Sequence, residues 1–124
     1  MGVKIRKARK TDYEAILELV KKHPKIIVEP YPKWRKYFVA TDNKKLVGCC
    51  ALEIYSQKIA EIRSIAVIPK YGKKGYGKKL IAKCLELTEK KDIHEVFVVT
   101  SIPKYFNSLG FDFVQGEKYI LFKR

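Results

Sequence analysis

The feature that most constrains this sequence is a turn rich in Gly and Lys that joins a β-branched strand to an amphipathic helix. The apolar run Ile65–Ile68 precedes the turn, Lys73–Lys78 forms it around Gly75 and Gly77, and a helical pattern follows from Leu80. Glycines let the backbone approach a ligand closely, and the first N–H groups of a helix are free donors that favour negative charge. The pattern therefore predicts a site for a phosphate or pyrophosphate group.

Two well-known phosphate-binding loops do not fit this turn. A nucleotide P-loop needs Ser or Thr after Gly-Lys in a fixed register, and neither residue stands there. A Rossmann loop needs a third glycine and a later acidic residue inside a parallel βαβ unit, whereas hairpin-like strands precede this helix. A polyphosphate ligand is still favoured by the surrounding lysines, which are Lys70, Lys73, Lys74, Lys78 and Lys79.

Length and composition limit the remaining choices. We expect a single domain over residues 1–124, and the hydrophobic content of 47% argues against disorder. No apolar run approaches the ~18–20 residues of a membrane span, and the charged N-terminus lacks the apolar core of a signal peptide. The cysteines Cys49, Cys50 and Cys84 have no metal-ligand spacing, so we expect reduced, buried thiols, no metal site, no membrane partner and a cytoplasmic location.

The formal net charge of +14 introduces a nucleic-acid-binding function as a competing hypothesis. The positive charges are mostly lysines, and they are spread over every segment of the chain. A general basic surface explains that distribution at least as well, so nucleic acid is not an expected partner.

Hydrophobic periodicity predicts an α/β domain on a mixed sheet, in the order β-α-(irregular)-β-β-β-α-β-α-β-β. A capping box at Thr11 and Glu14 is expected to open the first helix, and Asp42–Lys45 has the composition of a hairpin turn. The expected strands are Val3–Ala8, Tyr37–Thr41, Leu46–Tyr55, Ile59–Ile68, Glu95–Thr100, Phe111–Val114 and Lys118–Phe122.

Together these elements resemble the GNAT superfamily of acetyl-CoA-dependent N-acetyltransferases over essentially the whole chain. The resemblance depends on the strand Ile65–Val67, the turn Gly75–Gly77, and the segment Tyr105–Phe111, in which an aromatic pair precedes Leu-Gly-Phe. The segments Gly48–Tyr55 and Ala60–Arg63 are similar to the acetyltransferase domain of amino-acid N-acetyltransferases, including those that make N-acetylglutamate. A GNAT-type mixed central sheet is the fold that this resemblance implies.

The resemblance also implies a binding mode for acetyl-CoA as co-substrate. Main-chain groups of Ile65, Ala66 and Val67 would pair with the pantetheine arm as an added strand does. The pyrophosphate would be held by main-chain N–H groups of Lys73, Lys74, Gly75, Tyr76, Gly77 and Lys78. The alternative is that the two glycines serve only a tight turn. Gly72 stands where the family usually has Gln or Arg.

Two residues are candidates for catalysis. Glu61 is expected to share strand parity with Arg63, Ile65 and Val67. We expect it to act as a base, as a ligand for the substrate ammonium, or as the ion-pair partner of Arg63. The family's usual general-acid tyrosine corresponds to Phe106, so the neighbouring Tyr105 is either the proton donor or a core aromatic. On that basis we expect Tyr105→Phe to cost less than about tenfold in turnover.

The sequence thus predicts an N-acetyltransferase in which the amine of a small molecule or amino acid attacks acetyl-CoA directly. Three alternatives stay open: acetylation of a protein N-terminus or lysine, a noncatalytic acyl-CoA sensor, and an RNA-associated basic protein. Assembly as a homodimer is also left open.

Overall fold

The computed structural model describes residues 2–24, 27–100, 102–115 and 119–123, and within them the elements follow the predicted order. The helices are α1 (Tyr13–Val20), α2 (Tyr76–Lys90) and α3 (Pro103–Asn107). The strands are β1 (Val3–Lys7), β2 (Tyr37–Asp42), β3 (Lys45–Ile54), β4 (Ile59–Val67), β5 (Glu95–Thr100), β6 (Phe111–Gln115) and β7 (Tyr119–Lys123). Short 3-10 turns occupy Lys10–Asp12, Trp34–Lys36 and Pro69–Tyr71.

These strands form one mixed sheet in the order β1-β2-β3-β4-β5-β7-β6. The pair β4–β5 is parallel, and the other neighbouring strands are antiparallel. A parallel pair needs a long crossover, which the turn and α2 supply. The predicted mixed α/β sheet is confirmed.

Helices cover both faces of the sheet, and each face has its own core. The face under α2 buries Leu80, Ile81 and Cys84 against Ala60 and Ile62. The opposite face, under α1, is built from Ile16, Val20, Val39, Cys49, Ala51 and Ala66. All three thiols are buried, as predicted, and the Sγ atoms of Cys50 and Cys84 lie 3.8 Å apart.

The start of α1 differs from the predicted capping box. A 3-10 turn begins at Lys10, and the carboxylate of Asp12 accepts the N–H of Arg9 at 2.6 Å. The same carboxylate accepts two hydrogen bonds from the Arg6 guanidinium, at 2.8 and 3.1 Å. Asp12 therefore closes this end of the helix, two residues before the predicted Glu14.

Candidate active site

The strands β4 and β5 separate in the middle of the sheet. They pair only from Ile59 to Ile62 on β4 and from Glu95 to Val98 on β5. Beyond Ile62, β4 continues to Val67 with no strand paired on that side among the described residues. The predicted segment Ile65–Val67 therefore lies on an open strand edge, where backbone groups can pair with an extended ligand.

A β-bulge in β4 reorients this segment. The register between β3 and β4 shifts between Cys49 and Ala51, and Ser64 opposite has a φ of 52°. As a result Ile65 packs with Ala60 and Ile62 on the α2 face, whereas Ala66 belongs to the α1-side core. The bulge adds one residue and so reverses the alternation of side chains. The predicted parity of Glu61 with Ile65 and Val67 is wrong, because both pack on the α2 face.

The Gly- and Lys-rich turn delivers the predicted free donors. Gly75 has a φ of 81°, a left-handed conformation that glycine adopts without strain, and α2 begins at the next residue. The N–H groups of Lys73, Gly75, Tyr76, Gly77 and Lys78 have no hydrogen-bond acceptor among the described residues. The N–H of Lys74 is the exception to the prediction, because it donates to the Tyr71 carbonyl at 3.3 Å.

Tyr71 anchors the turn, a role that no motif in the sequence indicates. Its buried side chain donates a hydrogen bond to Asp42 Oδ2 at 2.6 Å, and this bond raises the pKa of the phenol. The ammonium groups of Lys70 and Lys74 lie 5.9 and 5.7 Å from the centre of its ring. The contact ties the turn to the β2–β3 hairpin, so it fixes where the free N–H groups point.

Tyr105 lies where the open strand edge meets the turn. A Cβ built on Gly77 would lie 2.7 Å from the Tyr105 hydroxyl oxygen and 3.7 Å from Ile65 Cδ1. That hydroxyl has no hydrogen-bond partner among the residues the structure describes. Burial raises the pKa of Tyr105, so the phenol keeps its proton at neutral pH. Its neighbour Phe106 is 1% exposed and meets Phe111 edge-on, which makes Phe106 the core aromatic of the pair.

Glu61 lies on the α1 face of β4, and its partner differs from the prediction. Its carboxylate accepts the hydroxyl of Tyr55, and Glu53 stands directly opposite on β3. Burial, and then the bond to Glu61, raise the pKa of Tyr55 to about 12. Arg63 instead donates to the Pro30 carbonyl at 2.9 Å, and no Glu61–Arg63 ion pair occurs among the described residues.

The two candidate catalytic residues are therefore not brought together. The Tyr105 hydroxyl and Ile65 both lie beside Gly77, so Ile65 marks the Tyr105 side of the site. Glu61 is four positions from Ile65 along β4, which is about 13 Å, and the bulge puts Glu61 and Ile65 on opposite faces of the sheet. Tyr105 lies beside the turn. Glu61 lies on the face covered by α1, where its neighbour Arg63 contacts Pro30.

Two features are absent from the described residues, a metal-binding cluster and a membrane-spanning helix. No group of three or more His, Cys, Asp or Glu side chains there is arranged to hold a metal ion. None of the helices in that part of the chain has the length and apolar character to cross a membrane.

Comparison with known proteins identifies the family. The sequence profile of the Acetyltransferase (GNAT) family matches residues 4–111. The chain belongs to the GNAT acetyltransferase family. The predicted family and fold are thereby confirmed.

Similar GNAT proteins include amino-acid acetyltransferases. The chain is 31% identical to the amino-acid acetyltransferase of Mycobacterium tuberculosis over 121 residues, covering 90% of this chain and 70% of that protein. It is 35% identical over 85 residues to an uncharacterized N-acetyltransferase of Chlorobaculum tepidum, covering 68% of this chain and 55% of the relative. The chain thus spans only about half the length of the Chlorobaculum relative.

Solved structures agree with this assignment. A Mycobacterium tuberculosis protein in complex with CoA superposes with a TM-score of 0.84 at 30% identity, over 91% of this chain and 74% of that one. N-acetylglutamate synthase from Neisseria gonorrhoeae, complexed with coenzyme A and N-acetyl-glutamate, has a TM-score of 0.90 at 21% identity. This chain corresponds to 35% of the synthase, and at that identity the likeness is one of fold.

Proposed function

We propose that this GNAT protein binds acetyl-CoA and transfers the acetyl group to the amine of an amino acid or another small molecule. The observation that carries the proposal is the meeting of two features at one place. The open edge of β4 and the five free N–H groups of the turn converge beside Gly77 and Ile65.

The residues present fit the two polar parts of acetyl-CoA. Five unpaired N–H donors at the start of a fifteen-residue helix, with lysines around them, suit a pyrophosphate. The edge of β4 at Ile65, Ala66 and Val67 that faces away from β3 is unpaired, and it suits an extended arm that carries amide groups. The relatives and neighbours named for amino-acid acetylation or holding CoA support the same reading.

Acetyl-CoA would supply the acetyl group as a thioester, from which the acceptor amine takes the acetyl group and releases the thiol of CoA. The released sulfur gains a proton and the amine loses one. The protonated Tyr105 hydroxyl, which lies beside Gly77 of the turn, would donate the first proton. Glu61 lies on the other face, where it holds the acceptor ammonium or takes its proton through water.

The acceptor side carries charges of both signs. Glu61 suits an ammonium group, Glu53 opposite it on β3 is already paired with Lys36 at 3.6 Å, and Arg63 suits a carboxylate. A zwitterionic amino acid has both groups. Peptide N-termini and lysine side chains share only the amine, so we place protein acetylation second.

The test is a thiol-release assay with acetyl-CoA over the amino acids, polyamines and short peptides. We expect turnover with at least one amino acid and none without an acceptor. Acetylation restricted to peptides would favour the alternative acceptor, and CoA binding without thiol release from any amine would favour an acyl-CoA sensor. A cytoplasmic location and a homodimer stay predictions.

Gly75→Val tests whether CoA binds at the turn. The position has a positive φ but open space around its Cβ, so the branched side chain strains the turn and screens its donors without disturbing the core. Calorimetry is expected to show CoA affinity lowered at least tenfold. Unchanged affinity in the folded variant would remove the turn from the proposed site.

A further inference from the structure

A second cationic groove lies at the far end of α2, outside the candidate active site. Its volume is about 450 Å³, and we call it the α2 C-terminal groove. The rim consists of Lys7, Lys33, Arg35, Lys36 and Lys91, and the floor of Leu52, Ile54 and Leu87. Leu87 lies about 16 Å along the helix axis from Tyr76, where the proposed pyrophosphate site begins.

The rim holds positive charge that the protein itself leaves largely uncompensated. Lys36 pairs with Glu53 at 3.6 Å, but the other four rim cations have no ion-pair partner among the described residues. Two acids of α2 lie near the groove in sequence: Glu86 is already engaged by Lys83 and Lys90, and Glu89, between Leu87 and Lys91, pairs with none of the rim cations among the described residues. A lysine at a helix C-terminus is ordinary, which accounts for Lys91 but not for the cations from the other elements.

Lys7 shows how closely these charges converge. Its ammonium donates to the Arg35 carbonyl at 2.7 Å and lies 4.9 Å from the centre of the Phe38 ring. Burial lowers the pKa of Lys7, and the charges of Lys36 and Lys91 act in the same direction. Like charges gathered around one concavity repel each other, and an anion bound there would turn that repulsion into attraction.

We propose that the α2 C-terminal groove is a second ligand site, for a small anion that combines phosphate or carboxylate groups with a short aliphatic portion. The charged rim meets the anionic groups, and the three aliphatic side chains of the floor meet the apolar portion. The volume lies in the range of small-molecule sites. The residues that line the groove include no aromatic ring on which a base could stack, so a small molecule suits the groove better than a single-stranded nucleic acid.

The test is calorimetric titration of n-hexyl phosphate, inorganic phosphate and 1-hexanol into the protein alone and into the protein saturated with CoA. We expect hexyl phosphate to bind at least tenfold more tightly than phosphate, with no detectable binding of hexanol. The titration without CoA is repeated in Lys73→Gln/Lys78→Gln. This variant removes two charges from the turn, so it shows whether hexyl phosphate binds there, even if the protein does not bind CoA. The affinity for hexyl phosphate should be retained in this variant.

Matched charge variants locate the site. Lys33→Gln/Lys91→Gln leaves the Lys7 hydrogen bond in place and is expected to weaken hexyl phosphate at least tenfold. Lys21→Gln/Lys22→Gln removes the same charge from the exposed end of α1 and should change the affinity less than twofold. Equal losses in both variants, loss of binding on CoA saturation, or equal affinity for phosphate and hexyl phosphate would each overturn the proposal. Tighter binding of a single-stranded RNA that displaces hexyl phosphate would also overturn it, in favour of a nucleic-acid surface.

Discussion

At the residue scale, Gly77 leaves room for two side chains of the proposed CoA site, Tyr105 and Ile65. A Cβ there would lie 2.7 Å from the Tyr105 hydroxyl oxygen, which is the tip of a side chain that is 37% exposed. The tyrosine can therefore swing away, so Gly77→Ala should change the free energy of unfolding by less than about 1 kcal/mol. Its effect is expected on catalysis, because the hydroxyl leaves its place beside Ile65.

A double-mutant cycle checks this expectation. If Gly77→Ala acts by displacing the hydroxyl, then Gly77→Ala/Tyr105→Phe should be no slower than the slower single variant. Rates and free energies of unfolding are measured for all four proteins. Additive losses in turnover would show that Gly77 acts independently of Tyr105.

Tyr105→Phe is now expected to lower turnover by roughly 10²-fold, the range of a general acid, and CoA affinity by less than twofold. From the sequence alone, Phe106 at the family's tyrosine position predicts a loss of less than about tenfold for Tyr105→Phe. The structure changes the expectation, since Tyr105 faces the turn and Phe106 is buried. Single-turnover kinetics with saturating acetyl-CoA decide between the two, and a loss below tenfold would restore the earlier interpretation.

Glu61→Gln is expected to lower turnover by roughly 10²-fold with little change in stability. The reason is that Glu61 has no ion pair with Arg63 to lose, and Gln still accepts the Tyr55 hydroxyl. Tyr55→Phe is the matched control, which removes that hydroxyl and leaves the carboxylate, so its loss should stay below tenfold. A large drop in melting temperature with normal turnover would make Glu61 a structural residue.

At the scale of elements, the start of α1 depends on a single carboxylate. Asp12→Ala removes the acceptor for the Arg9 N–H and both bonds from Arg6, and should destabilise the fold by about 1–2 kcal/mol at pH 7. The Arg6 hydrogen bonds hold the pKa of Asp12 below its ordinary 3.8. The stabilisation is therefore present above that value and is lost as the pH falls through the folded-state pKa.

Urea denaturation at several pH values measures this difference. The gap between the wild type and Asp12→Ala should be full at pH 7 and should close below pH 3.8. Glu14→Ala, at the position of the predicted capping box, is the control and should cost less than about 0.5 kcal/mol. A larger cost for Glu14→Ala would restore the predicted box.

At the scale of the whole molecule, the bulge in β4 divides the site between the two faces of the sheet. One sheet runs from Val3 to Lys123, which supports our proposal of a single domain over residues 1–124. The free N–H groups lie on the α2 side, while Glu61 and Arg63 lie on the α1 side, where Arg63 holds the carbonyl of Pro30. Donor and acceptor binding should therefore be separable by mutation.

Arg63→Gln is expected to raise the KM for the amino-acid acceptor at least tenfold and to leave the KM for acetyl-CoA within twofold. The substitution releases the Pro30 carbonyl and removes the charge that suits a carboxylate. Steady-state kinetics with each substrate varied in turn measure the split. Equal effects on both constants would show that Arg63 supports the strand as a whole.

The sequence by itself determined the features that depend on neighbouring residues. The free donors of the turn follow from glycines placed ahead of an amphipathic helix, and the structure has them at Gly75 and beyond. The β2–β3 turn follows from Asn43 and Lys44, which have φ values of 49° and 71°. Local composition is enough to predict these turns, because the backbone conformation of a turn depends on the few residues that form it.

Only the tertiary structure decided the features that depend on pairing between distant segments. The bulge at Ser64 arises from the register between β3 and β4, and strict alternation along one strand cannot show it. The hydrogen bond of Tyr71 joins residues 29 positions apart. The choice between Tyr105 and Phe106 depends on which ring the core accepts and which meets Gly77. Periodicity reports which residues alternate along an element, whereas the packing of separate elements decides where their side chains meet.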